Sequence, residues 1–126
     1  MKVFYKIIAA VLLFISVLYA FFSGAALSME GKNIFSPYID TQFAPQYSLE
    51  KFELIKKGQT IEEVEKILGQ PLNQYIDSNN IAEYWYTHDG KLYSNKRSGD
   101  FAWYRSVVYF DINKKVVKID KGWSYD

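Results

Sequence analysis

The chain has 126 residues, a formal net charge of +1 and no cysteine, so it has room for one domain and cannot use disulfides, thiolate metal sites or a lipidated cysteine. Without Lys2 and Lys6, 13 of the 15 basic residues remain against 14 acidic ones, a net charge of −1. This balance argues against a general nucleic-acid-binding protein.

The N-terminal segment is apolar, and residues 7–27 hold no charged residue in 21 positions. As a helix this segment is about 31 Å long, enough to cross a hydrocarbon core of about 30 Å. Lys2 and Lys6 precede it, and the next basic residue is Lys32. The positive-inside rule therefore places the N-terminus in the cytoplasm and the rest of the chain on the exported side.

Two interpretations of residues 1–28 stay open. An uncleaved single-pass anchor in the inner (cytoplasmic) membrane needs about 20 apolar residues, which this segment has. A cleaved signal peptide needs an apolar stretch of about 7–15 residues and small residues at the cut, where Ala26-Leu27-Ser28 would serve. Length favours the anchor, and secretion to the periplasm is the alternative.

Residues 29–47 predict a linker, because Pro37 and Pro45 favour extended backbone and no apolar period is sustained. The folded domain is predicted to cover 48–126. Its aromatic content is high, with 11 Tyr, nine Phe and three Trp in the chain. Core packing accounts for most of these rings, and the remainder favours a binding surface.

Two short helices open the predicted domain. Ser48 is a favoured N-cap, and Gly58 fits the left-handed position after a helix. Thr60 and Glu63 form a capping box for the second helix, which Gly69 ends. The apolar stripes of the two helices are Leu49, Phe52 and Ile55 in the first, and Ile61, Val64, Ile67 and Leu68 in the second.

Three strands follow the helices, at 82–87, 101–110 and 115–121, separated by a polar loop at 91–100 and a turn at 111–114. Short connections imply antiparallel neighbours. The sequence therefore predicts an α+β fold, in which two short helices pack on one face of a three-stranded antiparallel sheet. An N-terminal transmembrane or signal helix precedes it.

The strand at 101–110, the longest of the three, has two apolar faces. One face comprises Ala102, Tyr104, Ser106, Val108 and Phe110, and the other comprises Phe101, Trp103, Arg105, Val107 and Tyr109. We expect the first face to meet the helices, because its residues are smaller and uncharged. The second face then forms a large aromatic surface, and a one-residue change of register would exchange the two.

Five residues are the predicted partner-binding site: Trp85, Trp103, Arg105, Tyr109 and Trp123. Trp and Tyr dominate binding hot spots, and an Arg among aromatic rings stacks on them or pairs with a partner's carboxylate. The expected partner is another envelope protein.

Basic residues are concentrated in residues 91–121, where eight of them face three acidic ones, a net of +5. They are Lys91, Lys96, Arg97, Arg105, Lys114, Lys115, Lys118 and Lys121. One interpretation is a solvated sheet edge, where lysines block strand addition. The other is contact with anionic lipid or with an acidic partner.

The pattern predicts no catalytic, metal or cofactor site and no small-molecule substrate. His88 is the single histidine, and a metal site needs further ligands in fixed geometry. Glu62 and Glu63 differ by about 100° around a helix and therefore cannot work as an acid/base pair. No Gly-rich phosphate loop is present.

The order of these motifs resembles the BamE family, also called the SmpA/OmlA domain, of small envelope proteins in the outer-membrane β-barrel assembly machinery. The matching residues are Gly58-Gln59-Thr60, Leu68-Gly69-Gln70-Pro71, Trp85-Tyr86, Val108-Tyr109-Phe110-Asp111 and Val116-Val117. The match covers residues 49–121. The order and spacing of these elements together carry more information than any one of them.

The resemblance implies an α-α-β-β-β fold, shared with the β-lactamase inhibitor proteins, and a binding role rather than catalysis. It departs in one respect, because family members are typically lipoproteins and this chain has no cysteine to lipidate. We therefore expect a membrane-anchored, non-catalytic interaction module. The alternative is a secreted inhibitor or sensor domain of the same fold that binds a soluble exported protein.

Overall fold

A computed structural model describes residues 1–22, 28–29, 32–33, 36–90 and 102–125. The first element is helix α1, Lys2–Phe22, whose side chains up to Tyr19 are exposed. Its stretch Lys2–Tyr19 has a mean hydropathy of 2.0 and is long and apolar enough to cross a membrane. A signal sequence meets the same criterion. Strands β1 (Ser28–Met29) and β2 (Lys32–Asn33) then form a short antiparallel pair.

The two predicted helices are present with the predicted N-caps. In α2 (Leu49–Phe52) the Ser48 hydroxyl accepts from the Lys51 N–H, and in α3 (Ile61–Leu68) Thr60 and Glu63 form the complete capping box. Helix α2 is shorter than expected, because the N–H groups of Leu54 and Ile55 donate to carbonyls three residues back instead of four. Gly58 thus lies in a turn rather than beside a helix end, and its N–H donates to the Val116 carbonyl at 2.8 Å.

The prediction of one three-stranded sheet is wrong, because six further strands form two antiparallel sheets. The larger sheet has the order β4-β5-β7-β8, and the smaller one pairs β3 with β6. Their bounds are β3 Thr41–Phe43, β4 Asn73–Ile76, β5 Ala82–Trp85, β6 Thr87–Asp89, β7 Trp103–Phe110 and β8 Val116–Ser124. The fold class α+β is confirmed, and β8 rather than β7 is the longest strand.

One predicted strand is divided between the two sheets. Residues 82–87 split at Tyr86 into β5 and β6, because the Ser106 N–H bonds to the Thr87 hydroxyl (2.8 Å) instead of continuing the backbone ladder. The N–H of Tyr104 likewise bonds to the Thr41 hydroxyl at 2.9 Å. Side-chain hydroxyls thus join β7 to the smaller sheet.

Part of the predicted linker at 29–47 belongs to the folded unit. Asp40, Thr41 and Ala44 are buried, and β3 pairs with β6 in the register Thr41↔Asp89 to Phe43↔Thr87. Three residues are too few to show a period of two in sequence. The predicted loop at 91–100, and Phe101 after it, lie outside the described residues.

The core lies between the helices and one face of the larger sheet. Val108 and Phe110 are fully buried there against Phe52, Val64 and Leu68. This confirms the expectation that the face carrying Val108 and Phe110 meets the helices. The alternate residues of β7 therefore define the other face, which we call the outer face.

Candidate functional site

Four of the five predicted partner-binding residues share the outer face. Trp85 lies opposite Val107 in the ladder, and Trp103, Arg105 and Tyr109 alternate along β7. Trp123 is separated from them, since it pairs with Tyr104 and so lies on the helix side of the sheet. The predicted site therefore divides into two surfaces.

The tryptophans of the outer face are packed against one another. The His88 ring stacks on Trp103 (centroids 6.1 Å apart, planes 10° apart) and lies 6.1 Å from Trp85. Trp103 is only 8% exposed, and the Trp85 indole N–H donates to Glu83 Oε2 at 3.0 Å. These indoles stabilise the sheet, and their packing leaves little free ring surface for a partner.

The charges of the outer face are also satisfied within the domain. Arg105 forms a two-point ion pair with Asp120, with N···O distances of 3.0 and 3.1 Å. The hydrogen bond to Asp120 raises the pKa of Arg105. The ammonium of Lys118 lies 4.8 Å from the centre of the Tyr109 ring, in a cation–π contact. A partner would have to compete with these interactions to use Arg105.

Trp123 belongs to a second aromatic group, the Trp123 cluster, comprising Lys32, Tyr38, Tyr104 and Trp123. Trp123 stacks on Tyr38 with ring centres 5.0 Å apart and meets Tyr104 edge-on at 5.3 Å. The Lys32 ammonium lies 4.9 Å above the Trp123 ring. All four residues are half-buried, so the cluster has both a packed side and a solvent side.

The basic residues of 91–121 occupy several surfaces. Lys91, Lys96 and Arg97 lie outside the described residues. Arg105 is paired with Asp120 on the outer face, whereas Lys121 is paired with Glu53 on the helix side. Contact with anionic lipid through this stretch stays a prediction.

An apolar cleft, which the sequence did not predict, opens at the end of the larger sheet remote from Trp123. Its volume is about 610 Å³. Its apolar walls are Ile61, Tyr75, Ile76, Ala82, Tyr84 and Ile112, and its polar rim is Gln74, Asn80, Asp111 and Lys114. Ile76 is 74% exposed and Ile112 72%. Two isoleucines so exposed beside one cleft make it a candidate binding surface.

Among the described strands, β4 has a neighbour on one side alone, so the backbone beside the cleft is an edge of the larger sheet. Two main-chain bonds show which residues of the ladders are hydrogen-bonded pairs. The N–H of Tyr86 donates to the Ser106 carbonyl, and the N–H of Asp77 donates to the Ile81 carbonyl, both at 3.0 Å. By the alternation of antiparallel ladders, Asn73 and Tyr75 bond to β5, and the N–H and C=O of Gln74 and Ile76 point away from the sheet. Their side chains share the face of Tyr84 and the cleft.

One sequence signal could have indicated the cleft. Ile112 lies in a turn whose other residues are polar, and Ile76 immediately precedes a second polar turn at 77–80. Turns are normally built from Gly, Asn, Asp and Ser. An isoleucine in a turn therefore either packs against the rest of the protein or is a candidate contact for another molecule. The strand β4 itself gave little signal, since it has only four residues and Tyr75 and Ile76 are its only strong strand formers.

The residues considered for catalysis or metal binding make contacts that stabilise the fold. His88 lies between two indoles, and the Glu63 carboxylate accepts the Thr60 N–H at 3.0 Å. Among residues 1–22, 28–29, 32–33, 36–90 and 102–125, no group of three or more His, Asp or Glu is placed to hold a metal ion.

Comparison with known proteins gives no family for this chain. No protein-family model matches it, and no curated protein matches it significantly. The resemblance to the BamE family therefore stays a prediction, and the function is argued from the surfaces alone.

Proposed function

We propose that the chain is a membrane-anchored, non-catalytic protein-interaction module, which binds an extended segment of another envelope protein at the cleft beside β4. The proposal rests on one observation. Two exposed isoleucines, Ile76 and Ile112, lie next to a strand edge whose outward N–H and C=O groups pair with no strand among the described residues. The BamE resemblance supports a binding role in the cell envelope. It favours, by itself, no particular partner.

The anchoring part of the proposal rests on α1. Its 21 residues span about 31 Å, and Lys2 and Lys6 lie at its N-terminal end. By the positive-inside rule, these features support a domain on the exported side of the inner membrane. The alternative, a released inhibitor or sensor, would use the same cleft and differs in the fate of residues 1–28.

The binding part of the proposal is strand addition. A peptide laid along β4 would hydrogen-bond to the main chain of Gln74 and Ile76, and its alternate side chains would enter the cleft. Main-chain pairing supplies affinity without sequence preference, and the apolar walls select large aliphatic or aromatic side chains. This arrangement differs from the predicted site on the outer face, where the rings and charges already have partners.

A single substitution separates strand addition from other modes of binding. Gln74→Pro removes the N–H that points away from β5 and leaves the ladder pairs of Asn73 and Tyr75 intact, so the fold should persist. Gln74→Ala is the matched control, because it removes the same side chain and keeps the N–H. Both variants should show the circular dichroism of the native chain.

The measurement is photocrosslinking of the full chain in native membranes, with a benzophenone residue at Ile112. We expect a crosslinked protein that Gln74→Ala retains and Gln74→Pro loses by tenfold or more. A benzophenone at the exposed Leu54, outside the cleft, should not give that product. If the crosslink survives Gln74→Pro, or if no protein is captured at Ile112, the proposed site is wrong.

A further inference from the structure

The Trp123 cluster combines the three residue types that concentrate at membrane interfaces, Trp, Tyr and Lys. Trp123 stacks on Tyr38, and Tyr104 meets both rings edge-on. The Lys32 ammonium lies 4.9 Å from the Trp123 ring centre. Tyr125, two residues beyond Trp123, is 58% exposed. An apolar body with polar ends suits a boundary between hydrocarbon and water.

The length of the chain limits how far this cluster can lie from the end of α1. Five residues lie between Phe22 and Ser28, so six Cα–Cα steps limit the distance between these two residues to about 22 Å. Met29 pairs with Lys32 across the short β1–β2 ladder, where paired Cα atoms are about 5 Å apart. The Lys32 Cα thus lies within about 30 Å of the helix end. The Lys32 side chain and its contact with the ring extend that limit to about 40 Å for Trp123.

We propose that the Trp123 cluster rests on the interface of the same bilayer that α1 spans, with its rings at headgroup depth and Lys32 among the phosphates. This inference rests on the proposed anchoring by α1. The contact requires no particular lipid, because the rings supply most of it and a single Lys supplies the charge. It is separate from the contact with anionic lipid predicted for residues 91–121.

The contact fixes the orientation of the domain. Trp123 pairs with Tyr104 at one end of β7, and the cleft residue Ile112 follows Phe110 at the other end. The six residue steps from Tyr104 to Phe110 span about 20 Å. With the Trp123 cluster on the bilayer, β7 holds the cleft about 20 Å above the interface. An unoriented domain would expose the cleft at every angle, including toward the lipid.

The absence of cysteine makes a direct test possible, since a single introduced thiol can be labelled selectively. We would introduce Tyr125→Cys and, as matched control, Ile112→Cys, both at exposed positions where the fold should tolerate the change. Each full-length protein would carry an environment-sensitive fluorophore in phosphatidylcholine nanodiscs. Phosphatidylcholine brominated near the top of its acyl chains would serve as the quencher.

We expect the label at position 125 to lose at least half of its emission in brominated lipid, and the label at position 112 to lose less than a tenth. The native tryptophans give a second measurement without labels, because Trp123→Phe should remove the lipid-quenched part of the emission and Trp85→Phe should not. Equal quenching of the two labels, together with unchanged quenching in Trp123→Phe, would overturn the inference.

Anchoring by α1 and membrane contact of the Trp123 cluster can be disproved separately. If alkaline carbonate extracts the protein from the bilayer, anchoring by α1 is wrong, and the membrane-anchored form of the proposed function is wrong with it. If the protein stays in the bilayer and both labels remain unquenched, the anchor stands and only the membrane contact of the Trp123 cluster is wrong.

Discussion

At the residue scale, the buried tyrosines show how environment determines chemistry. Tyr47 lies between Phe43 and Tyr86, with ring centres 5.6 and 6.4 Å away, and its hydroxyl is 2.7 Å from the Ser106 hydroxyl. Burial raises the pKa of Tyr47 to about 12, and the Ser106 hydrogen bond opposes part of that rise. Burial also raises the pKa of Tyr86, whose hydroxyl donates to the Gly69 carbonyl. The interior thus favours neutral phenols.

These pKa values predict a loss of stability at alkaline pH. The folded chain holds the Tyr47 proton more tightly than the unfolded chain, whose tyrosine pKa is 10.0. The stabilisation is therefore complete below pH 10 and is lost as the pH rises from 10 towards 12. Urea unfolding at pH 8, 9, 10 and 11 should show a constant midpoint up to pH 9 and a falling one beyond it.

Tyr47→Phe is the control for that titration. It removes the ionisable group and keeps the ring contacts, so the urea midpoint should fall less steeply above pH 9. Part of the fall should remain, because Tyr86 still contributes to it. A pH dependence identical to that of the native chain would show that Tyr47 does not contribute.

At the element scale, helix α3 depends on its two ends. Thr60 and Glu63 satisfy its first N–H groups, and Gly69 ends it with a φ of 76°. An added Cβ at Gly69 would meet the Gln46 Cβ at 2.8 Å. Gly58, with a φ of 89°, has open space at the same point.

These two glycines form a matched pair for a stability measurement. Gly58→Ala carries backbone strain alone and should lower the free energy of unfolding by about 1 kcal/mol. Gly69→Ala adds the clash with Gln46, so we expect a further loss of about 1–2 kcal/mol. Urea denaturation of the full chain in detergent measures both. Equal losses would mean that Gln46 moves aside without cost.

The sequence predicts best the elements that depend on contacts between residues close together in the chain. The caps at Ser48 and Thr60 are contacts within three residues, and they located both helices. The apolar alternation of β7 likewise located the core face. Strands β3 and β4 depend on distant partners, and neither Thr41–Phe43 nor Asn73–Ile76 has a pattern that could reveal them.

The candidate site was predicted least well for the same reason. Trp85, Trp103, Arg105 and Tyr109 do share a face, as alternation along β7 and the short turns implied. Their mutual stacking and ion pairing depend on cross-strand register, which the sequence does not fix. Trp123 lies on the opposite face, which only its pairing with Tyr104 reveals. The cleft depends on β4, which was itself missed.

At the scale of the whole molecule, helix α1 and the folded domain have different roles. Helix α1 carries exposed apolar residues, while the core of the domain is enclosed between α2, α3 and the larger sheet. The domain does not require α1 for its packing among the described residues, since the residues of the core cluster begin at Ala44. Anchoring and binding are therefore separable properties.

That division predicts the mass of the mature protein. We expect the full 14.7 kDa chain in the membrane fraction, resistant to alkaline carbonate. Intact-mass measurement after expression in a bacterial host checks this directly. A soluble species lacking residues 1–28 would instead identify the apolar segment as a signal peptide and favour the released inhibitor or sensor.

The hydroxyls that join β7 to the smaller sheet constrain how this chain can vary. Thr41 and Thr87 each satisfy a main-chain N–H of β7, from Tyr104 and Ser106, that no strand neighbour reaches. Valine has the same shape and no acceptor, and would leave such a buried N–H unsatisfied at a cost of about 1–3 kcal/mol. Serine or threonine should therefore persist at both positions while the surrounding apolar residues exchange freely. Divergent homologues would then be recognised by two polar residues inside the fold rather than by its hydrophobic pattern.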